Sequence, residues 1–312
     1  MLICSLLPSA TEIVFGLGMG HALVGVSHEC DYPEEACRIA KVTRSKIPAA
    51  LSSEQIDSAV SATLDQQGTL YELDLPLLEQ LQPELILTQR LCDVCAVSFD
   101  RVQEAVLGLR SRPRVLNLEP HSLGDIFENI HTVGQALGRD SAAEALVDSL
   151  ERRVDAVRSR TKGLAHRPRV FCMEWVHPPY CGGHWMKELV EIAGGQDSLS
   201  NLHRPSYRIE WARVLEFAPE VVILTCCGFD LGRCEREGEI LAKFEGVQDL
   251  PAARAGRIFA TDGSAYFSRP GPRIVESLEI LAHLIHPELF PAPPLSCAFS
   301  ALDLLRVGAV RG

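Results

Sequence analysis

Short apolar runs alternate along the chain with longer segments whose apolar residues recur at helical spacing. Two stretches are nearly the same, residues 77–89 (LLEQLQPELILTQ) and residues 214–226 (VLEFAPEVVILTC). Each pattern is typical of a helix end, a Pro-Glu break and an apolar strand. Such a strand fits a parallel sheet covered on both faces, and open α/β sheets bind ligands at the carboxyl ends of their strands. The repetition therefore predicts two related α/β lobes.

The first half is predicted to alternate strands and helices. Strands are predicted at 2–7, 24–27, 85–89 and 114–118, and helices at 52–66, 73–81 and 98–109. A further helix is predicted to end near Leu17, with Ser9 as its N-cap and Glu12 as the capping partner. This alternation favours a parallel sheet with right-handed crossovers.

From 122 to 162 the pattern is almost entirely helical. A helix of about 22 residues is roughly 33 Å long, enough to connect two lobes. The second half then repeats the plan, with strands at 169–174, 220–225 and 257–261 and helices at 186–193, 210–217, 235–244 and 273–285. We therefore predict an N-terminal α/β lobe, a helical connector, a C-terminal α/β lobe and a tail, at 1–121, 122–166, 167–286 and 287–312.

Composition excludes several classes of function. The chain has 312 residues and a formal net charge of -11, with no cluster of Lys and Arg of the kind that binds nucleic acid. No apolar run reaches the 18 to 20 or so residues that a membrane-spanning helix needs, so no membrane insertion is expected. Met1 leads directly into a predicted strand, which favours a cytosolic protein, or a periplasmic one if a signal was removed.

Five short motifs carry a family resemblance. They are residues 5–12 (SLLPSATE), 23–27 (LVGVS) followed by 31–33 (DYP), 81–86 (LQPELI), 177–180 (HPPY) ahead of 191–195 (EIAGG), and 268–273 (SRPGPR). Together and in this order, the chain resembles the cobalamin- and siderophore-binding proteins of ABC importers, and most of all the cobalamin-binding subgroup. The resemblance implies two Rossmann-like lobes joined by a long helix, with the ligand in a cleft between them.

The resemblance also implies a ligand class, a corrinoid or related metal chelate bound without catalysis. Aromatic walls suit a flat chelate, because burial and stacking both favour it. Tyr180 and Tyr266 match wall aromatics of the second lobe. The candidate ligand-binding residues are Tyr180, His184, Trp185, Tyr207, Tyr266, Phe267, His28 and Arg44.

The chain departs from the family pattern in two respects. Cys30 stands where the nearest relatives carry an aromatic residue, and Arg44 lies where a tryptophan would grip a corrin. The acidic residues through which importer subunits dock to a permease are matched here by Pro76 and Ala212. Carboxylates lie nearby at Glu72, Glu79 and Glu210, but docking to an ABC permease is doubtful on this pattern.

The cysteines suggest a second chemistry. Cys92 and Cys95 have the C-x2-C spacing that lets two thiolates bind one Zn ion or one iron–sulfur cluster. Because Cys30 and Cys227 are predicted at the same rim of the two sheets, these four are the candidate metal ligands. A redox-active C-x2-C pair and inert packing are the alternatives. Packing is the expected role of Cys4, Cys37, Cys172, Cys234 and Cys297.

Three functions remain open from the sequence. The first is a cytosolic protein that binds a metal chelate. The second is a metalloprotein, or an enzyme of unknown reaction, in which cysteines hold Zn or an iron–sulfur cluster. The third is a substrate-binding subunit of an ABC importer whose signal is absent from this sequence.

Overall fold

A computed structural model of the protein describes residues 1–48, 50–90, 99–291, 293, 295 and 298–304. The chain divides into two compact units. The first comprises Met1–Pro120 and Gly124–Ser149, and the second comprises His121–Leu123 and the chain from Leu150 onward. The predicted bounds of the lobes, connector and tail stay predictions.

The first unit is built on a parallel sheet. Its strands are β1 (Ile3–Ser5), β2 (Leu23–Val26), β3 (Ala40–Lys41), β4 (Thr43–Ser45), β5 (Tyr71–Leu73), β6 (Leu85–Thr88) and β7 (Arg114–Asn117). Within the described part of this unit, the parallel sheet has the order β3-β2-β1-β6-β7, and β4 and β5 form a separate antiparallel pair. Its helices are α1 (Pro8–Gly16), α2 (Ser53–Gln67), α3 (Leu75–Leu81), α4 (Phe99–Leu107) and α5 (Leu123–Leu137), followed by α6 (Asp140–Thr161), within which the division between the units falls.

Local signals explain where these helices begin and end. The Ser52 hydroxyl accepts from the Gln55 backbone N–H and the Gln55 side chain accepts from Ser52, a capping box that starts α2. Gly68 ends α2 in the left-handed conformation, at φ 66°. The predicted N-cap of α1 is wrong. The cap position is Leu7, because Pro8 has the φ angle that a first helical turn needs and lacks only an N–H that the turn leaves unbonded.

The apolar runs form the centres of the two sheets. Strand β6, in the first predicted repeat, is buried at every position, and so is β10 in the second. In the first unit, α3, α4 and β5 pack on a common cluster that includes Leu6, Val42, Leu78, Ile86 and Val102. Burial on both faces explains why these strands have no polar alternation.

The second unit repeats the plan with antiparallel edges. Its strands are β8 (Val170–Trp175), β9 (Tyr180–Cys181), β10 (Val221–Leu224), β11 (Ile258–Thr261) and β12 (Phe299–Ala301). Over the described residues, the sheet order is β12-β11-β10-β8-β9, with β8, β10 and β11 parallel. The helices are α7 (Met186–Ile192), α8 (Trp211–Phe217), α9 (Leu231–Leu241), α10 (Pro251–Arg254) and α11 (Ile274–Ile285).

Both edge strands of this sheet are absent from the sequence prediction. Strand β9 is two residues long, too short to show a period, and it pairs antiparallel with β8. Strand β12 comes from the tail and pairs antiparallel with β11, with Phe299 opposite Thr261. The tail, to which the sequence assigns no role, therefore completes the second sheet.

Candidate ligand-binding site

The carboxyl edge of the second sheet carries a group of rings and guanidinium groups. We call Trp175, Phe229, Tyr266, Arg233 and Arg273 the aromatic rim. The Trp175 and Phe229 ring centroids are 4.8 Å apart, inclined at 44°. The Arg233 guanidinium lies 4.4 Å from the centre of the Phe229 ring, and that of Arg273 lies 5.5 Å from the centre of the Tyr266 ring. Both distances fit cation–π contacts.

The start of α9 places Phe229 and Arg233 together. Gly228 turns the chain at φ 73° after β10, and the Asp230 carboxylate accepts from the Arg233 backbone N–H as the N-cap of α9. The sequence prediction began this helix four residues too late, at 235, because it missed this cap. With the cap in place, Arg233 lies one helical turn beyond Phe229 and contacts its ring.

A close backbone approach joins the loops that follow β10 and β11. A Cβ atom at Gly263 would lie 2.2 Å from the carbonyl oxygen of Cys226, so only glycine fits there. The Ser264 N–H donates to the Phe229 carbonyl at 3.0 Å. Gly263–Phe267 form a π-helical turn in which the Asp262 carboxylate accepts from the Ala265 N–H at 2.7 Å. These bonds hold the loop carrying Tyr266 against the loop carrying Phe229.

A carboxylate braces the loop that follows β9. Glu174, near the end of β8, accepts from the Gly183 N–H at 2.9 Å and from the Ser206 side chain. Gly183 packs tightly, because a Cβ there would lie 2.2 Å from the Ser206 nitrogen. Burial raises the pKa of Glu174 to about 6, although both hydrogen bonds favour the charged form and oppose this shift. The carboxyl group of Glu174 is therefore partly protonated in mildly acidic solution.

The next two residues of that loop have different environments. His184 adopts a left-handed backbone, φ 51°, and its ring stacks on Trp185 at 5.5 Å and 26°. The Trp185 indole is 5% exposed and its Nε1 donates to the Phe267 carbonyl at 3.2 Å. Phe267 is 3% exposed. Trp185 and Phe267 thus pack inside the second unit, and their predicted contacts with a ligand stay predictions.

The two remaining tyrosines of the predicted site flank the same loop. Tyr180 begins β9, is half-buried and pairs through its backbone with Arg208. The Tyr207 hydroxyl donates to the Leu199 carbonyl at 2.8 Å. Burial raises the pKa of the Tyr207 phenol, so this hydroxyl remains a neutral donor. The two segments are joined through the backbone, since the Cys181 N–H donates to the Tyr207 carbonyl at 3.1 Å, and the role of both tyrosines as ligand contacts stays a prediction.

The carboxyl edge of the first sheet is polar and buried. We call Ser5, Thr11 and Cys30 the hydroxyl–thiol cluster. The Thr11 hydroxyl donates to the Ser5 hydroxyl at 2.8 Å, and its oxygen lies 3.1 Å from the Cys30 sulfur. The Ser5 hydroxyl in turn donates to the Leu7 carbonyl at 3.0 Å. Cys30 is 1% exposed, so the polar atoms of this cluster form their hydrogen bonds with one another in the interior of the first unit.

The other predicted residues of the first unit are His28, which contacts β4, and Arg44, which belongs to it. The His28 N–H donates to the Thr43 hydroxyl at 3.0 Å, and its Nδ1 lies 2.7 Å from the same oxygen. The His28 ring also contacts Tyr71, with centroids 5.6 Å apart. Arg44 is exposed and stands opposite Glu72 on β5. His28 is thus held in place by Thr43, whereas Arg44 extends from the surface of the unit.

The predicted cysteine site is only partly described. Cys92 and Cys95 lie outside the described residues, Cys30 belongs to the first unit and the half-buried Cys227 to the second. Within the described ranges, no three or more His, Cys, Asp or Glu side chains form a group able to hold a metal ion. The four-cysteine site therefore stays a prediction.

Burial of the other cysteines is mostly as predicted. Cys4, Cys172 and Cys234 are fully buried, which confirms their prediction as packing residues. The prediction for Cys37 is wrong. It is exposed, because the 3-10 helix Glu34–Arg38 places it on the outer side. Cys297 lies outside the described residues.

The chain thus has two α/β units, each with distinctive side chains at the carboxyl edge of a mainly parallel sheet. The family model described as "Periplasmic binding protein" matches residues 3–265, most of the chain. The chain therefore belongs to the periplasmic binding protein family. Both the resemblance stated from the motifs and the predicted α/β fold class are confirmed by this match and by the similar structures.

Individual relatives are distant but cover nearly the full chain. The uncharacterized ABC transporter substrate-binding lipoprotein YvrC of Bacillus subtilis (strain 168) is 22% identical over 300 residues, covering 92% of this chain and 81% of that protein. A vitamin B12-binding protein of Vibrio parahaemolyticus is 22% identical over 284 residues, covering 90% and 88%. The apo form of the periplasmic heme-binding protein RhuT from Roseiflexus sp. RS-1 superposes with a TM-score of 0.68 at 23% identity, covering 92% and 98%.

These relatives bear on the alternatives left open by the sequence. They are named as substrate-binding or chelate-binding proteins, which gives no support to a cytosolic location, an enzyme, Zn or an iron–sulfur cluster. Among the helices in the described ranges, none combines the length and apolar character needed to cross a bilayer.

Proposed function

We propose that this protein is the substrate-binding component of an ABC importer and that it binds a corrinoid, or a related planar metal chelate such as heme. The observation that carries this proposal is the aromatic rim of the second unit. Its half-buried rings, Trp175 and Tyr266, offer flat apolar area at the edge of the sheet where α/β proteins bind ligands, and the buried Phe229 ring packs against Trp175.

The chemistry of the rim suits this ligand class. A flat macrocycle gains from stacking on aromatic rings by about 0.5–1.5 kcal/mol per ring pair beyond the area it buries. The Arg233 guanidinium lies over the Phe229 ring and 3.4 Å from the Glu237 carboxylate, and its planar group is of the kind that suits the anionic or amide groups at a chelate's edge. Arg273 is buried, and its guanidinium lies over the Tyr266 ring. The relative named as a vitamin B12-binding protein supports a corrinoid as the first ligand to test.

Docking to the permease of an ABC importer is supported by the names of the relatives and by exposed carboxylates. Of the acidic residues close to the family's docking positions, Glu79 forms an ion pair with Arg110. Glu72 and Glu210 are exposed. We therefore propose Glu72 and Glu210, rather than Glu79, as the carboxylates that replace the missing docking residues.

The direct experiment is a binding titration of the purified protein with cyanocobalamin and, separately, with hemin. We expect saturable one-to-one binding of the corrinoid by calorimetry. Trp175→Ala should weaken it about tenfold, because it removes a ring whose stacking is worth about 1.4 kcal/mol. Phe229→Ala should also weaken it, because it removes the buried ring that packs against Trp175.

Trp211→Ala is the matched control. Trp211 also pairs with a phenylalanine, Phe244, at 4.9 Å and edge-to-face at 89°, but it belongs to α8 and lies outside the aromatic rim. Its replacement should leave the affinity unchanged. Binding of hemin alone would reassign the chelate, whereas no binding of either ligand, or equal losses in all three variants, would refute the proposal.

A further inference from the structure

Two imidazole rings meet in the second unit outside the aromatic rim. His121 belongs to the short segment His121–Leu123, and His184 to the loop between β9 and α7. Their ring centroids are 5.6 Å apart and the rings are inclined at 41°. The Nδ1 atom of His184 is buried and has no hydrogen-bond partner among the described residues. A buried imidazole nitrogen without a hydrogen bond destabilises the folded protein, and a bound ligand would supply the missing partner.

The backbone fixes both rings before any ligand arrives. The His184 N–H donates to the Arg204 carbonyl at 2.6 Å, and the His184 carbonyl accepts from the His203 N–H at 3.0 Å. The segment that carries His121 is held by the Glu188 carboxylate, which accepts from the Leu123 N–H at 2.9 Å. Neither imidazole therefore needs a large backbone movement to share a ligand with the other.

We propose that His121 and His184 form a two-imidazole site for a divalent late first-row transition-metal ion, with water in the remaining coordination positions. Imidazole nitrogen is a preferred donor for Zn²⁺, Cu²⁺ and Ni²⁺. With metal–nitrogen bonds of about 2.0–2.1 Å in a tetrahedral arrangement, two imidazole centres stand about 5 to 5.5 Å apart. The observed separation of 5.6 Å is close to this value.

The protonation state of His184 supports the same assignment. Burial, and then the neighbouring His121, lower the pKa of His184 to about 4. A neutral imidazole keeps the nitrogen lone pair that a metal ion needs, so His184 does not have to lose a proton near pH 7.

The test uses the full-length protein without corrinoid or heme, so that its result does not depend on the proposed chelate. Titration with Ni²⁺ in a calorimeter should show one equivalent bound. His121→Ala and His184→Ala should each weaken this binding at least tenfold. His166→Ala is the matched control, because His166 is an exposed histidine of the same unit that lies 2.9 Å from the Glu220 carboxylate. It should bind Ni²⁺ like the unmodified protein.

Two further measurements keep the result unambiguous. Co²⁺ absorption should show ligand-field bands without the intense thiolate charge-transfer bands that a cysteine site produces. Thermal unfolding of each variant, together with the milder His184→Gln, separates loss of the site from loss of the fold. No Ni²⁺ binding, binding unchanged in both alanine variants, or thiolate charge-transfer bands would each overturn the proposal.

Discussion

The carboxyl edges of the two sheets share one plan but differ in chemistry. In the first unit the edge holds the hydroxyl–thiol cluster, whose polar atoms bond to one another in the interior. In the second unit it holds the aromatic rim, whose rings and guanidinium groups pair with one another. Equivalent strands thus present internally satisfied polar groups in one unit and stacking surfaces in the other. The comparison teaches that the loops, not the repeated strands, set what each unit can bind.

The largest expected effect comes from breaking the loop contact beneath the aromatic rim. Gly263→Val should lower the free energy of unfolding by at least about 3 kcal/mol, because the new side chain overlaps the Cys226 carbonyl. Chemical denaturation measures the loss. Gly232→Ala in α9 is the control, since its nearest atom would be 3.7 Å from the new Cβ. It should stabilise the protein by about 0.5–1 kcal/mol, and a similar loss in both variants would contradict the contact.

The stability of the protein should depend on pH through Glu174 in the second unit. The native state keeps the Glu174 proton up to about pH 6, whereas an unperturbed glutamate loses it near 4.5. Native stability therefore falls as the pH rises through this interval, by about 2 kcal/mol if the whole shift is expressed. Glu174→Gln should remove this contribution, so its stability relative to the unmodified protein should rise from pH 4.5 to 6.

His184 provides an internal check on that measurement, because its contribution has the opposite sign. Its native pKa is lowered to about 4 from an ordinary 6.5, so its contribution to stability is lost as the pH falls through that range. The free energy of unfolding, relative to that of the unmodified protein, should therefore rise with pH for Glu174→Gln and fall with pH for His184→Gln. Denaturation at several pH values measures both. Parallel curves would show that neither group titrates as described.

The hydroxyl–thiol cluster should prove structural rather than ligand-binding. Thr11→Val keeps the shape of the side chain but removes the hydroxyl shared with Ser5 and Cys30, and should cost about 1–2 kcal/mol of stability. Corrinoid affinity of the folded variant should be unchanged. As a control, Ser61→Ala removes an exposed hydroxyl bond within α2 and should change stability by less than about 0.5 kcal/mol. Loss of corrinoid affinity in Thr11→Val would contradict the purely structural role assigned to the hydroxyl–thiol cluster.

The smallest effect is expected for a charge-conserving change in the aromatic rim. Arg233→Lys loses the planar contact with Phe229, worth about 0.5–1 kcal/mol, and should weaken corrinoid binding about twofold to fivefold. Arg236→Lys alters an exposed arginine of the same helix and should have no effect in the same titration.

The sequence was most informative where burial is continuous. The apolar runs at β6 and β10 predicted two related units, because a strand covered on both faces has no polar positions to obscure it. Strands β3, β4, β5 and β9 escaped prediction because each has only two or three residues. A period of two cannot be recognised over so short a length.

The candidate site was only partly predictable for a different reason. Tyr266 was predicted because it matches a wall aromatic of the family that the chain resembles. Phe229 and Arg233 were missed, although an aromatic residue just past the end of β10 was the available signal. His121 carries no local signal, since its partner His184 is distant in sequence and only the folded chain brings the two rings together.

Strand β12 has a practical consequence for anyone who shortens this protein. Its residues hydrogen-bond along β11, the strand that leads into the Tyr266 loop, and the Ala298 carbonyl accepts from the Asp262 N–H at the start of that loop. Removing the chain from residue 298 onward would leave β11 as a bare edge, a template for aggregation. Any shortened form of the protein should therefore keep residues 298–301.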